Sequence, residues 1–521
     1  MSDDVKKLKN PSRRDFLKST GGATAIAGMV MGGLAVNARE AGAAWDAMPK
    51  KWHEAYDVVI IGSGFAGLAA AYEAKKAGAS VIILEKMRTP GGNSIINGGL
   101  IAAPGSPLQA AKGIKDSPQQ LYDDMVREGL GLNYPELVKV MADASVSTLM
   151  WTINELGVKY TDILVQEGGH AVPRCYQTYN SSGSAWVQPL LAKLKTLGVE
   201  PKLRMYLQKI FRDKDGRVKG VEVREGYTFP RAGSGKVKYI KAKKAVVIAI
   251  GGFGQDVPFR TAQDPKLTAK FESTNQPGST AEGMREALRI GCTPVQLDWI
   301  QVGPWASPDE KGFGLGPHFA QEAAAMYGIW VNTKTGKRFI SELANRKIRA
   351  DKIMELGNKG ENCIALADEN GASWVKAKLP MLLERGVVKK YNTIEELAKA
   401  YNVPVDALKE TINNYNKFVA QGKDDEFNRY MNKNAKPIET APFYAMRLLP
   451  KIHHCMGGVR INTEAQAIDV TDDKPIAGLY AAGEAVGGVH GAVRLGSCAT
   501  LDCLVFGRIA GTNAVKEKPW S

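Results

Sequence analysis

Six cysteines are spread over 521 residues, and no two of them stand as Cys-x-x-Cys or Cys-x-x-Cys-His. That excludes local motifs for c-type haem attachment, a zinc ribbon or an iron–sulfur cluster, and no metal site is expected. The scatter of Cys175, Cys292, Cys363, Cys455, Cys498 and Cys503 predicts free buried thiols rather than a disulfide framework. No apolar run is long enough to cross a bilayer as a helix, so stable membrane insertion is not expected. No Lys/Arg run is interleaved with aromatics, which argues against nucleic acid as a partner.

What is abundant is glycine, 55 residues, alongside a hydrophobic fraction of 44%. The pair suits an enzyme of two to three domains, with tight turns and close backbone–ligand approaches. The formal net charge is +15. A basic surface steers an anionic substrate or an acidic partner, or is simply a solvated surface.

The first residues read as a targeting segment. Ser12-Arg13-Arg14-Asp15-Phe16-Leu17-Lys18 has the form of a twin-arginine signal, a weakly apolar stretch runs from Ala23 to Val36, and Ala41-Gly42-Ala43 offers a small-residue cleavage site. Charge, apolar run and cleavage site come in the order of an export signal. The expectation is a signal peptide over 1–44, cleaved near Ala43, and a periplasmic protein folded with its cofactor before export. Loss of seven basic and four acidic residues with the segment leaves a net charge near +12.

The mature part opens on a β-rich run, Tyr56–Ile61, followed by Gly62-Ser63-Gly64-Phe65-Ala66-Gly67 and an alanine-rich helical stretch that ends at Gly78. A second strand, Ser80–Leu84, brings Glu85 to its tip. This is a complete dinucleotide-binding βαβ unit. Gly62 permits the tight turn, Gly64 the approach of a pyrophosphate, and Gly67 the packing of helix on strand. Glu85 is placed to accept from ribose hydroxyls, and the helix N-terminus faces the phosphates. Gly91-Gly92-Asn93-Ser94 and Asn97-Gly98-Gly99 follow closely, and Ala245–Phe253 and Gly478–Glu484 read as two further strand-and-turn pieces of the same domain. Together they favour FAD over NAD.

From about Tyr56 to Gly511 the chain resembles the fumarate reductase/succinate dehydrogenase flavoprotein family, and within it the soluble flavocytochrome c, urocanate and methacrylate reductases. The most specific segments are His453-His454-Cys455-Met456-Gly457-Gly458 and Gly483–Gly496. The resemblance implies an α/β architecture: a Rossmann-like FAD-binding domain, 54–297 and 453–517, interrupted by an α+β capping (clamp) domain, 298–452. It implies cofactor contacts from Gly62, Gly64, Ala66, Gly67, Glu85 and Lys86, and from Gly92, Asn93, Ser94, Gly98 and Gly99. Gly251, Glu282, Glu484, Ala499 and Thr500 complete that set. No His lies between Ser94 and His170, so the FAD is expected to be non-covalent.

By the same resemblance His453 and Arg494 hold a substrate carboxylate, and Arg346, in Gly336–Arg346, donates a proton to the substrate. An Arg fork matches a carboxylate, and an imidazole adds a donor. The implied reaction is hydride transfer from flavin N5 to the β-carbon of an enoate, with Arg346 protonating the α-carbon and clamp closure excluding water. An electrostatic role for Arg346, with water as the acid, remains the alternative.

Fumarate enzymes need a second anion clamp. Here its segments read Trp299–Trp305, with Gly303 at the family's His position, and Phe319–Tyr327. Glu322 is the candidate relay acid, within a one-residue slip, and alanines replace the relay arginine. With Trp305, Met326 and Tyr327 as apolar surface, the expected substrate is a monocarboxylate with a nonpolar tail: acrylate-, methacrylate-, crotonate- or cinnamate-like. His318 filling a second clamp, and hence a true fumarate reductase, is the alternative. Electrons must come from a separate exported carrier, most simply a c-type cytochrome, in anaerobic respiration. Two other readings stay open: a dehydrogenase of the 3-ketosteroid type and a non-catalytic flavin carrier.

Overall fold

The computed structural model describes residues 47–520; the expected twin-arginine segment and cleavage site lie outside them. The founding unit is β1 (Glu54–Ile61), α1 (Phe65–Lys76) and β2 (Val81–Glu85). β1 and β2 pair in parallel with Val58 opposite Val81 and Ile61 opposite Leu84. Val58–Ile61 and Val81–Glu85 are buried throughout, because a parallel sheet is covered on both faces. That is why these strands read as unbroken aliphatic runs instead of alternating ones.

Two distant segments, read from the sequence as strands of the same domain, join this sheet, which has eight strands in all. β3 (Lys236–Ile248) lies parallel to β1 on the side away from β2, and β4 (Pro475–Ala481) lies parallel to β3. α2 (Cys498–Ala514) packs on α1. β1, β2, β3 and β4 therefore end side by side, at Ile61, Glu85, Ile248 and Ala481. The crevice beyond the carboxyl ends of such strands is where ligands bind in open α/β sheets.

Between these halves stands an antiparallel four-stranded sheet, in the order Ile329–Asn332, Cys363–Ala367, Phe443–Leu448, Lys389–Tyr391. Side chains alternate across it. Trp330 joins a core with Phe319, Trp305 and Met446, while Ile329 and Val331 join a second with Leu408 and Tyr415. Arg338, within the Gly336–Arg346 segment, is spent on structure. It meets Glu342 at 2.7 Å and Asp424 at 2.8 Å, and Arg429 meets Glu342 at 3.0 Å. The chain enters and leaves this region through one antiparallel pair, Ile300–Gly303 against Lys451–Cys455, with Gln301 opposite His454. The architecture is the expected α/β one. All six cysteines are free, and among the described residues no helix is long and apolar enough to cross a membrane.

Candidate active site

The cleft at the carboxyl end of the parallel sheet is shaped by missing side chains. A Cβ on Gly62, whose φ is +105°, would stand 2.2 Å from the carbonyl oxygen of Ala249, and one on Gly67 would stand 2.0 Å from that of Gly62. These contacts bring the start of α1 over the end of β1. Glu85 then latches the loops. Its Oε2 accepts from the Ser63 amide (3.2 Å) and hydroxyl (2.6 Å), and Oε1 accepts from the Met87 amide (2.8 Å). The Ser63 hydroxyl accepts in turn from the Gly91 amide.

Lys86 reaches Thr280 (2.5 Å) and Glu282 (3.1 Å) across the cleft. Asn93 is tied to Asn275 and Gln276, and Ser94 accepts from the Phe65 amide at the start of α1. Gly92 and Gly251 face open space. Glu484 accepts from the Cys455 amide at 2.9 Å, and burial pushes its carboxyl up to about 7. A groove of backbone and glycine, with a carboxylate and an ammonium on its walls, fits a dinucleotide such as FAD.

Gly62, Gly64, Ala66, Glu85, Lys86, Gly92, Asn93, Ser94, Gly251, Glu282 and Glu484 line this cleft. Gly98, Ala499 and Thr500 line its continuation. Gly99 does not. A Cβ there would meet Thr178 and Ser182 at 2.3–2.4 Å, so its smallness serves loop packing. Gly67 likewise serves the contact of helix and strand.

Past Asn93, Ser94 and Glu484 the cleft opens into a pocket where Arg494, His453 and Arg346 converge. Arg494 comes from the loop before α2. It is 5% exposed, its Nη1 donates weakly to the Leu495 carbonyl at 3.3 Å, and its Nε has no acceptor. No carboxylate among the described residues pairs with it. Burial, and then Arg346, push its pKa down to about 9. A buried cation with unspent donors is costly until an anion meets it.

Arg346 is the first residue of the helix Arg346–Asn358, which is capped by the Asn345 side chain. Its Nη2 donates to Glu167 at 2.8 Å and its Nη1 to Gln301 at 3.4 Å, and the guanidinium lies 5.4 Å from the centre of the Trp305 ring. The Gln301 amide donates to the Arg494 carbonyl at 2.9 Å, so one side chain links both arginines.

His453 comes from the strand Lys451–Cys455. Burial, then the charges of Arg494 and Arg346, hold its pKa well below 6.5, so it is neutral. Nδ1 lies 2.8 Å from the Thr274 hydroxyl. If that hydroxyl donates, the ring proton sits on Nε2, where it can serve an anion. The ring stands edge-on to Trp305, with centroids 4.7 Å apart, and stacks on Phe313.

The other end of the pocket is different. His318 Nδ1 lies 2.6 Å from Glu322, and Lys378 lies 3.8 Å from the same carboxylate. Burial raises the Glu322 pKa, but His318 and Lys378 outweigh it and the net shift is downward. The positive charge at this end is thus already matched by an anion.

Two expected substrate contacts lie elsewhere. Tyr327 stacks on Trp374 at 4.4 Å, facing a separate surface hollow. Gly303 sits beneath Trp305, where a Cβ would touch the ring at 2.8 Å. It makes room for an indole and does not line the pocket itself. Glu167, Thr274, Gln301 and Phe313 were not singled out from the sequence. Gln301 lies within the Trp299–Trp305 segment but carried no signal of its own, and tertiary packing brings all four to the site.

The FAD binding domain family matches residues 57–500. An acrylate reductase flavoprotein subunit from Shewanella woodyi is 43% identical over 503 residues, covering 96% of this chain and 97% of that protein. A urocanate reductase from Eggerthella lenta is 33% identical, covering 88% and 74%. Among solved structures, the open conformation of a flavocytochrome c3 fumarate reductase superposes with a TM-score of 0.71 at 33% identity, covering 90% of this chain and 81% of that one.

Proposed function

The chain belongs to the fumarate reductase type of FAD-binding flavoproteins, and from that premise we propose that it reduces the double bond of a small α,β-unsaturated monocarboxylate, acrylate or methacrylate first. It is an oxidoreductase and its cofactor is FAD. The observation that carries the proposal is Arg494: a buried guanidinium with unspent donors, in one pocket with His453 and Arg346, directly beyond the dinucleotide cleft.

Gly62, Gly64, Glu85, Lys86, Gly251 and Glu484 would hold the FAD non-covalently; when bound and reduced it supplies the hydride. Arg494 and neutral His453 grip the substrate carboxylate and take up the enolate-like charge that grows there. Arg346 protonates the α-carbon. Residues 298–452 act as the clamp that keeps water out. The monocarboxylate preference is supported by Glu322. A second carboxylate at that end would meet the Glu322 anion, with His318 and Lys378 already engaged with it.

The name of the acrylate reductase subunit, which matches nearly end to end, favours the same substrate class. We place the enzyme in the periplasm, exported by the twin-arginine route and fed electrons by a separate c-type cytochrome in anaerobic respiration. Steady-state oxidation of a reduced dye by the holoenzyme tests the substrate reading. Acrylate or methacrylate should give a kcat/KM at least about tenfold above fumarate, a difference of about 1.4 kcal/mol. The reverse order sinks it.

A further inference from the structure

The pocket holds a carboxylate that the mechanism above leaves unused. Glu167 precedes the Gly168-Gly169 turn, is 4% exposed and lines the pocket. Its Oε2 receives Arg346 Nη2 at 2.8 Å. A Cβ on Gly496, two residues after Arg494, would fall 2.2 Å from that same oxygen, so the Arg494 loop is built to admit it.

One helical turn beyond Arg346 stands Arg349, fully buried. Residues three apart share a helix face. Arg349 Nη1 donates to Gln321 and to the Glu342 carbonyl, each at 2.9 Å, while its Nε and Nη2 have no acceptor. A Cβ on Gly168 would lie 3.1 Å from that idle Nη2, which puts Arg349 beside the Glu167 turn. Burial pushes Arg349 down to about 9, Glu167 pulls it back up, and Arg346 pushes it further down. The residue that the sequence offered as relay acid, Glu322, is bonded to His318 instead.

We propose that Glu167, backed by Arg349, is the group that returns a proton to Arg346 after each turnover. The inference rests on the enoate reductase reading. Hydride from the reduced flavin forms a C–H bond at the β-carbon and breaks the π bond. The electron pair left at the α-carbon takes a proton from Arg346 Nη. Glu167, which accepts from Arg346 in the resting site, takes up a solvent proton and passes it to neutral Arg346, and Arg349 stabilises the carboxylate that is left. The sum is enoate, hydride and one solvent proton giving the saturated carboxylate. Glu167 and Arg349 act through Arg346 and do not touch the substrate.

The test is steady-state and solvent-isotope kinetics of the yellow holoenzyme with acrylate, for wild type, Glu167→Gln, Glu167→Asp and Arg349→Lys. Glu167→Gln should lower kcat roughly 100-fold with KM within about threefold. It should also raise the solvent deuterium effect on kcat and shift its pH profile, and Glu167→Asp should restore part of the rate. Arg349→Lys, which keeps the charge, should fall between wild type and Glu167→Gln. A Glu167→Gln enzyme with unchanged kcat, or one that loses activity only through KM, overturns the proposal. If Glu167→Gln does not fold, Glu167→Asp and Arg349→Lys decide it: wild-type kcat and isotope effect in both overturn it. A wild type inert toward acrylate and every other enoate overturns the underlying reading as well. An active wild type with an indifferent Glu167 removes this inference alone.

Discussion

The hydroxyl of Thr274 lies 2.8 Å from Nδ1 of His453. The same hydroxyl is 3.2 Å from the Ile452 carbonyl, so its single proton has two possible acceptors. Donation to Nδ1 sets the tautomer with its proton on Nε2, the form able to donate to a carboxylate. Thr274→Val removes that donor at little cost in volume. We expect KM for acrylate to rise about tenfold, the loss of one hydrogen bond to a charged group, while Thr274→Ser stays near wild type. Steady-state kinetics of both variants checks it.

Arg494 gives a prediction of opposite sign for stability and activity. It is buried, has no carboxylate partner among the described residues, and is pushed down to about 9 by burial and Arg346. Arg494→Met should abolish acrylate turnover, yet stabilise the substrate-free protein by about 1–3 kcal/mol, as removal of a costly buried charge does. Thermal melting with and without acrylate separates the two effects. Only the wild type should gain from the ligand.

Glu322 lines the pocket 2.6 Å from His318 and 3.8 Å from Lys378. Glu322→Gln removes an anion and leaves His318 and Lys378 free to attract one. The ratio of kcat/KM for fumarate to that for acrylate should rise about tenfold. An unchanged ratio would mean that this end of the pocket does not read charge.

His170 ties the Arg494 loop to Arg174. Arg174 donates to its Nδ1 at 3.1 Å, so Nε2 carries the proton that reaches the Gly496 carbonyl at 2.9 Å. Burial, then the Arg174 charge, push its pKa from 6.5 to about 4. In this window the unfolded chain takes up the proton first. The stability from neutral His170 is therefore complete above about pH 6.5 and is lost as pH falls toward 4, by about 1.4 kcal/mol per unit. His170→Gln should be less stable than wild type at pH 7, and that deficit should shrink by about 2 kcal/mol at pH 5. Denaturant titration at both pH values measures it.

The parts legible in the sequence were the local ones. Gly62 to Glu85 is one contiguous unit, in which Gly62 and Gly67 relieve backbone contacts with Ala249 and with Gly62 itself. His453 and Arg494 sit in dense motifs, and both line the pocket. Glu167 and Gln301 reach Arg346 from 179 and 45 residues away, and no spacing rule encodes such meetings. Tyr327 was misread because its neighbour, Trp374, is equally remote in the chain. The room left by Gly303 is filled by Trp305, two residues on, which the sequence does not show.

The central claim is that Arg494 and His453 hold an enoate carboxylate beside the flavin, with Arg346 as the acid at its α-carbon. Its most direct test is a single turnover: photoreduce the holoenzyme anaerobically, mix it with acrylate, and follow the return of oxidised-flavin absorbance. The account predicts saturable reoxidation in the wild type and none in Arg494→Met at the same acrylate concentration. Equal reoxidation in both, or wild-type flavin that stays reduced with acrylate and methacrylate while fumarate reoxidises it, would contradict it.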